Sequence, residues 1–104
     1  MIRWTLITQV AKEIATTLLN GTEISIHLSS DVPENIRANI QSKDGKHFDV
    51  LLNASRNKRE YQIIESLAHE LAHIVYIKHN KKHKQTQSKI YRQFKNSIMH
   101  VHNS

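Results

Sequence analysis

Apolar residues open the chain at helical spacing: Ile7, Val10, Ala11, Ile14, Ala15, Leu18 and Leu19 recur three or four positions apart. That period predicts a helix over Ile7 to Leu19 with one face turned to a core, Thr8 as a cap near its start and Asn20-Gly21 as its stop. The period then changes to two. Glu23 to Leu28 alternates as a half-buried strand does, and Ile36 to Gln41 and His47 to Leu52 repeat the pattern on either side of Lys43-Asp44-Gly45. A Gly after Asp suits a tight turn, so these two segments are expected to pair as a hairpin. Helical spacing returns over Lys58 to Lys78, through Ile63, Ile64, Leu67, Leu71, Ile74 and Val75, with Ser55 or Asn57 as its cap. After a basic link, a last helix is expected over Gln85 to Val101, with Ile90, Phe94, Ile98 and Val101 on one face. The order predicts one α+β domain over residues 1–104: an N-terminal helix, a small, mostly antiparallel sheet of about three strands, and two further helices.

The composition narrows what such a domain could be. There is no cysteine, which excludes disulfides, thiolate ligands and a cysteine nucleophile. The most apolar stretch, around Ile63 to Ile77, is interrupted by Glu65, His69, Glu70 and His73, so no membrane span is expected. The first residues show a lone Arg3 and no apolar run of the kind a signal peptide carries. A cytoplasmic location is the expectation.

The chemistry concentrates in the first of the two later helices. His69 and His73 are four residues apart, so a helix sets both imidazoles on one face, able to converge on a single ion. Glu70 sits beside that face. A zinc ion lowers the pKa of its water towards about 7, and a neighbouring carboxylate can take the proton as that water attacks a carbonyl. The run His69-Glu70-Leu71-Ala72-His73 has the HExxH spacing this chemistry requires. Leu67, Leu71 and Ile74 point roughly the other way, which lets the helix pack inward and present its histidines to a cleft.

A catalytic zinc site needs a third protein donor. Every carboxylate side chain lies at or before Glu70, so a downstream glutamate ligand is excluded. The candidates are histidines: His79, ten residues after His69, and His83 as the alternative, with His100 and His102 more distant choices. His79 requires the chain to bend near Tyr76 to Lys78, because an unbroken helix would turn it about 120° away from His73. His83 requires the Asn80-Lys81-Lys82 link to fold back. Tyr76 and Tyr91 could donate to an oxyanion, though tyrosines at helical spacing more often pack at a core edge. His27 and His47 fall on strand patterns and read as structural.

The segment from Ile63 to His73, followed by His79, resembles the core of the SprT-like and YgjP-like zinc metallopeptidases. Phe48 to Asn53 is similar to the strand and turn that precede the active-site helix in those domains. The resemblance implies a minimal zincin-like domain that hydrolyses peptide bonds, with His69, His73 and His79 holding Zn2+ and Glu70 as general base. It further implies that the preceding strand edges the cleft, where a peptide adds by β-augmentation. An aromatic residue commonly stands four positions after the third histidine of YgjP-like proteins. Here that position is His83, which keeps it as the alternative ligand.

The charge suggests a different class. Fifteen Lys and Arg against nine Asp and Glu give a net charge of +6, and every cation from Lys78 onward lacks a downstream acid to offset it. A basic C-terminal third of this kind suits contact with nucleic acid or another polyanion, and equally a solvated face. The alternative function is therefore a small basic nucleic-acid-binding or adaptor module in which any metal is structural.

Overall fold

The computed structural model describes residues 2–19, 21–42, 44–75 and 81–103, with the side chains of 81 and 99–103 excepted. Helix α1 (Trp4–Leu18) begins a turn earlier than its apolar period indicates. Its start is set from outside: Glu60 accepts hydrogen bonds from the Arg3 amide at 2.6 Å and from the Arg3 guanidinium at 3.0 Å through each carboxylate oxygen. Thr8 thus lies within the helix, where its hydroxyl donates to the Thr5 carbonyl instead of capping. The helix closes as expected around Gly21, whose φ of 72° is the left-handed value that favours glycine and lets its amide reach back to the Thr16 carbonyl.

Three strands follow: β1 (Glu23–Ser29), β2 (Ala38–Ser42) and β3 (His47–Asn53). The hairpin forms, with Ala38 opposite Leu52 and Ser42 opposite Phe48. Its turn is held by Asp44, whose carboxylate accepts from the Lys46 and His47 amides, and these bonds pull its carboxyl below the usual range. The sheet is mixed where a mostly antiparallel one was expected. The order is β1-β3-β2, and β1 runs parallel to β3, Glu23 facing His47 and Ser29 facing Asn53. The physical reason is the link over residues 30–37. It carries the chain past the end of the position β3 will take, so the hairpin's second strand folds back between its first strand and β1.

One face of the sheet is apolar. Ile24, Val50 and Leu52 are buried, with Ile26, Ile40 and Phe48 packed beside them against the helices. The opposite face carries His27 and His47. His47 approaches Ser25 at 3.0 Å, Glu23 at 3.6 Å and Asp49 at 3.6 Å, and His27 lies 3.9 Å from Asp49, all on the surface of the sheet.

After a single 3-10 turn (Ala54–Arg56) the chain enters α2 (Glu60–Val75), and α3 (Lys81–Asn103) packs against it. The core between them takes Ile63, Leu67 and Leu71 from α2 and Ile90, Phe94 and Ile98 from α3. Neither Ser55 nor Asn57 caps α2. Gln62 does so from within, its side-chain oxygen accepting from the Lys58 and Arg59 amides. Asn57 is buried and serves as a tie: its amide donates to the Arg37 and Asn53 carbonyls, and its oxygen accepts from the Ser66 hydroxyl at 2.6 Å. Asn53, also buried, donates to the Pro33 and Ile36 carbonyls. Together they hold the 30–37 link and the start of β2 against α2. Among the described residues, no helix is long and apolar enough to cross a membrane.

Candidate metal centre

The helical face predicted for His69 and His73 forms in α2, and among the described residues a further imidazole, His83, meets that face. Its position follows from where α3 starts. The helix begins at Lys81, four residues before the expected Gln85, so His83 lies in its first turn and points at α2. The three rings sit 4.9 Å (His69 to His73), 4.8 Å (His69 to His83) and 4.3 Å (His73 to His83) apart between centroids. One nitrogen from each ring can be chosen so that all lie within 4.8 Å of one another, a group that could hold a metal ion. Three imidazoles 2.0–2.1 Å from a tetrahedral zinc stand roughly 3.3 Å apart, so the rings need to close by an ångström or so. His79 and Tyr76 lie outside the described residues, as do the side chains of His100 and His102.

The donor chemistry fits such an ion. His83 is only 1% exposed, yet it is a polar ring with defined partners: its Nε2 donates to the His69 backbone carbonyl at 3.1 Å. His69 Nδ1 donates to the side-chain oxygen of Gln87 at 3.0 Å. Neutral imidazole keeps one lone pair after making such a bond, and that lone pair is what a metal takes.

Glu70 is buried, 7% exposed, in the floor of a cleft between α2 and β2. On one side of it a cavity of about 520 Å³ is lined by Arg37, Glu65, Ser66, His69 and Gln87 among others. On the other, a cavity of about 530 Å³ is lined by Ala38, Ile40, Phe48, His69 and His73 among others. The first is polar. Arg37 crosses it to donate to the Gln62 carbonyl at 3.0 Å and to Glu65 at 3.2 Å. Burial pushes the Glu70 carboxyl above the usual glutamate range, and the nearby charge of His73 pulls partly the other way. The strand bordering this cleft is β2, an edge of the sheet. The strand that precedes α2, β3, was expected there but is the central one.

Tyr91 is not part of this group. It packs at the core edge, lining a groove with Tyr61, Ile64 and Lys95. Gln87 and Arg37 were not visible as site residues in the sequence. Gln87 is one helical turn after His83, a signal that exists only once α3 is known to include both. Nothing in the pattern around Arg37 marks it.

Comparison with protein-family models, with curated proteins and with solved structures gave no match. Fold and site are therefore defined by this chain itself: an α+β protein with a three-histidine group on two packed helices.

Two outcomes follow from this geometry. His83→Ala is expected to weaken zinc binding by more than the roughly 10–100-fold typical of losing an outer contact, while His27→Ala on the far face of the sheet leaves it unchanged. Chelator competition measures both, and equal effects would exclude His83 as a donor. The second outcome concerns pH. A carboxyl more easily protonated in the folded chain favours folding at low pH and loses that advantage as pH rises through its raised value. In the metal-free chain Glu70→Gln is thus expected to be more stable than the parent at neutral pH, the gain shrinking as pH falls into the ordinary carboxylate range. Urea unfolding in the presence of chelator reads this, and a gain independent of pH would contradict it.

Proposed function

We propose that the chain is a zinc-dependent peptidase of the HExxH type, with His69, His73 and His83 holding the ion and Glu70 as general base. The observation that supports it most is the convergence of three imidazoles beside a buried carboxylate in the floor of a cleft. Two histidines alone would be a common surface accident. A third from another helix, with hydrogen-bonded partners behind the rings, is not what incidental histidines do. The reading keeps the likeness to SprT-like and YgjP-like peptidases, with the third ligand moved from His79 to His83.

Bound zinc would polarise the substrate carbonyl and make water acidic enough to attack at neutral pH. Glu70 takes a proton from the attacking water as its oxygen bonds to the carbonyl carbon. The C–N bond then breaks, and Glu70 returns the proton to the leaving amine. Its burial suits this role, because desolvation raises the carboxylate's proton affinity above that of an ordinary glutamate. The edge strand β2 offers backbone groups to an extended peptide, which would lie across Glu70 between the two cavities. Zinc-loaded Glu70→Gln is expected to retain the metal and lose about 10²–10⁴-fold in cleavage of an unfolded protein substrate, whereas His69→Ala loses both metal and cleavage. Undiminished cleavage by Glu70→Gln would exclude the mechanism.

A second reading has its own observation. The groove lined by Lys58, Arg59, Tyr61, Tyr91 and Lys95, with Glu60 and two isoleucines, combines an excess of cations with two aromatic rings, the Lys95 ammonium lying 5.7 Å from the Tyr91 ring centre. This is the composition of a surface that holds a phosphate backbone and stacks bases. Nucleic-acid binding that falls steeply with salt, survives chelation and is lost in Lys58→Glu/Lys95→Glu would favour a binding module. No binding at low salt would remove that reading.

A further inference from the structure

We infer that Gln87 is the positioning residue of the metal centre, holding His69 in the one tautomer that can bind the ion; the inference rests on the metal-binding reading of the three histidines. The starting point is the helical spacing of α3. His83 and Gln87 are four residues apart, so they stand one above the other on the face turned to α2. The first two turns of α3 thus deliver a donor and, directly beyond it, a side-chain acceptor.

Each hydrogen bond determines which ring nitrogen carries the proton. The Gln87 oxygen and the His69 carbonyl can only accept, so His69 carries its proton on Nδ1 and His83 carries its proton on Nε2. The lone pairs are then on His69 Nε2 and His83 Nδ1. The site is asymmetric: one ring faces the ion with its distal nitrogen and the other with its proximal one. The two bonds are also linked, since His69 is oriented by α3 through Gln87 and orients α3 through its own backbone carbonyl. Removing the Gln87 oxygen releases His69 to rotate and to adopt the tautomer that presents an N–H to the metal.

The test uses the full chain in three forms: the parent, Gln87→Leu, which keeps the bulk and removes the acceptor, and Gln87→Glu, which keeps an acceptor. Zinc affinity is read by chelator competition and folding of each metal-free form by thermal melting. Gln87→Leu is expected to bind zinc about 10–100-fold more weakly, and Gln87→Glu at least as tightly as the parent. A long-range proton–nitrogen correlation spectrum of the zinc-loaded parent should show His69 protonated at Nδ1 and His83 at Nε2. Should Gln87→Leu lower the melting temperature of the metal-free chain, the spectrum and Gln87→Glu decide the matter. Parent-like affinity in a folded Gln87→Leu, weakened binding by Gln87→Glu, or a His69 protonated at Nε2 would each overturn the role of Gln87 while leaving the metal site standing. A parent chain that binds no zinc overturns the metal reading, and this inference with it.

Discussion

The packing of α3 on α2 is the constraint on which the site depends. His83, Gln87, Ile90, Phe94 and Ile98 recur at helical spacing and form one continuous face of α3. Its lower part is apolar and buried with Leu67 and Leu71 of α2, a contact driven by removal of surface from water and worth several kcal/mol across residues of this size. Its upper part is polar and meets the histidines of α2. The apolar contact therefore sets the register, and the register delivers His83 and Gln87 to His69 and His73. A slip of one residue would rotate the polar pair by about 100° and dismantle the site.

The opposite wall of the cleft is held by different forces. Asn53, Asn57 and Ser66 are buried polar side chains with hydrogen-bond partners, and they pin the 30–37 link and the start of β2 to α2. Burying such groups is favourable only when they are satisfied, and a satisfied network admits few alternative arrangements. The cleft thus has one wall placed by apolar packing and one placed by directional bonds, with Glu70 between them. Arg37 and Glu65 close the polar end by an ion pair with both side chains partly exposed, which water screens, so its part is to shape the cavity more than to stabilise the fold.

Glu70 carries a cost to the folded chain. A desolvated carboxylate raises the free energy of the folded state wherever it is ionised. The raised proton affinity that comes with it is what the proposed general-base role draws on.

Much of this was legible in the sequence, and the reason is local. Periods of 3.6 and 2 follow from backbone geometry, so the three helices, the three strands and the hairpin at Asp44-Gly45 could be read from side-chain polarity alone. The HExxH pair is local as well, because four residues along a helix is one turn whatever surrounds it. Non-local contacts decided the rest. The start of α1 depends on Glu60, fifty-seven residues away, bonding Arg3. The parallel pairing of β1 with β3 depends on the path of a link with no periodicity. The early start of α3 turns Lys81 to Lys84, polar and basic with no apolar mark of a helix, into the turn that carries His83. Sequence alone determined that two histidines and a glutamate share a helix. That His83 lies beside them and Gln87 reaches His69, among the described residues, follows from how the second helix packs on the first.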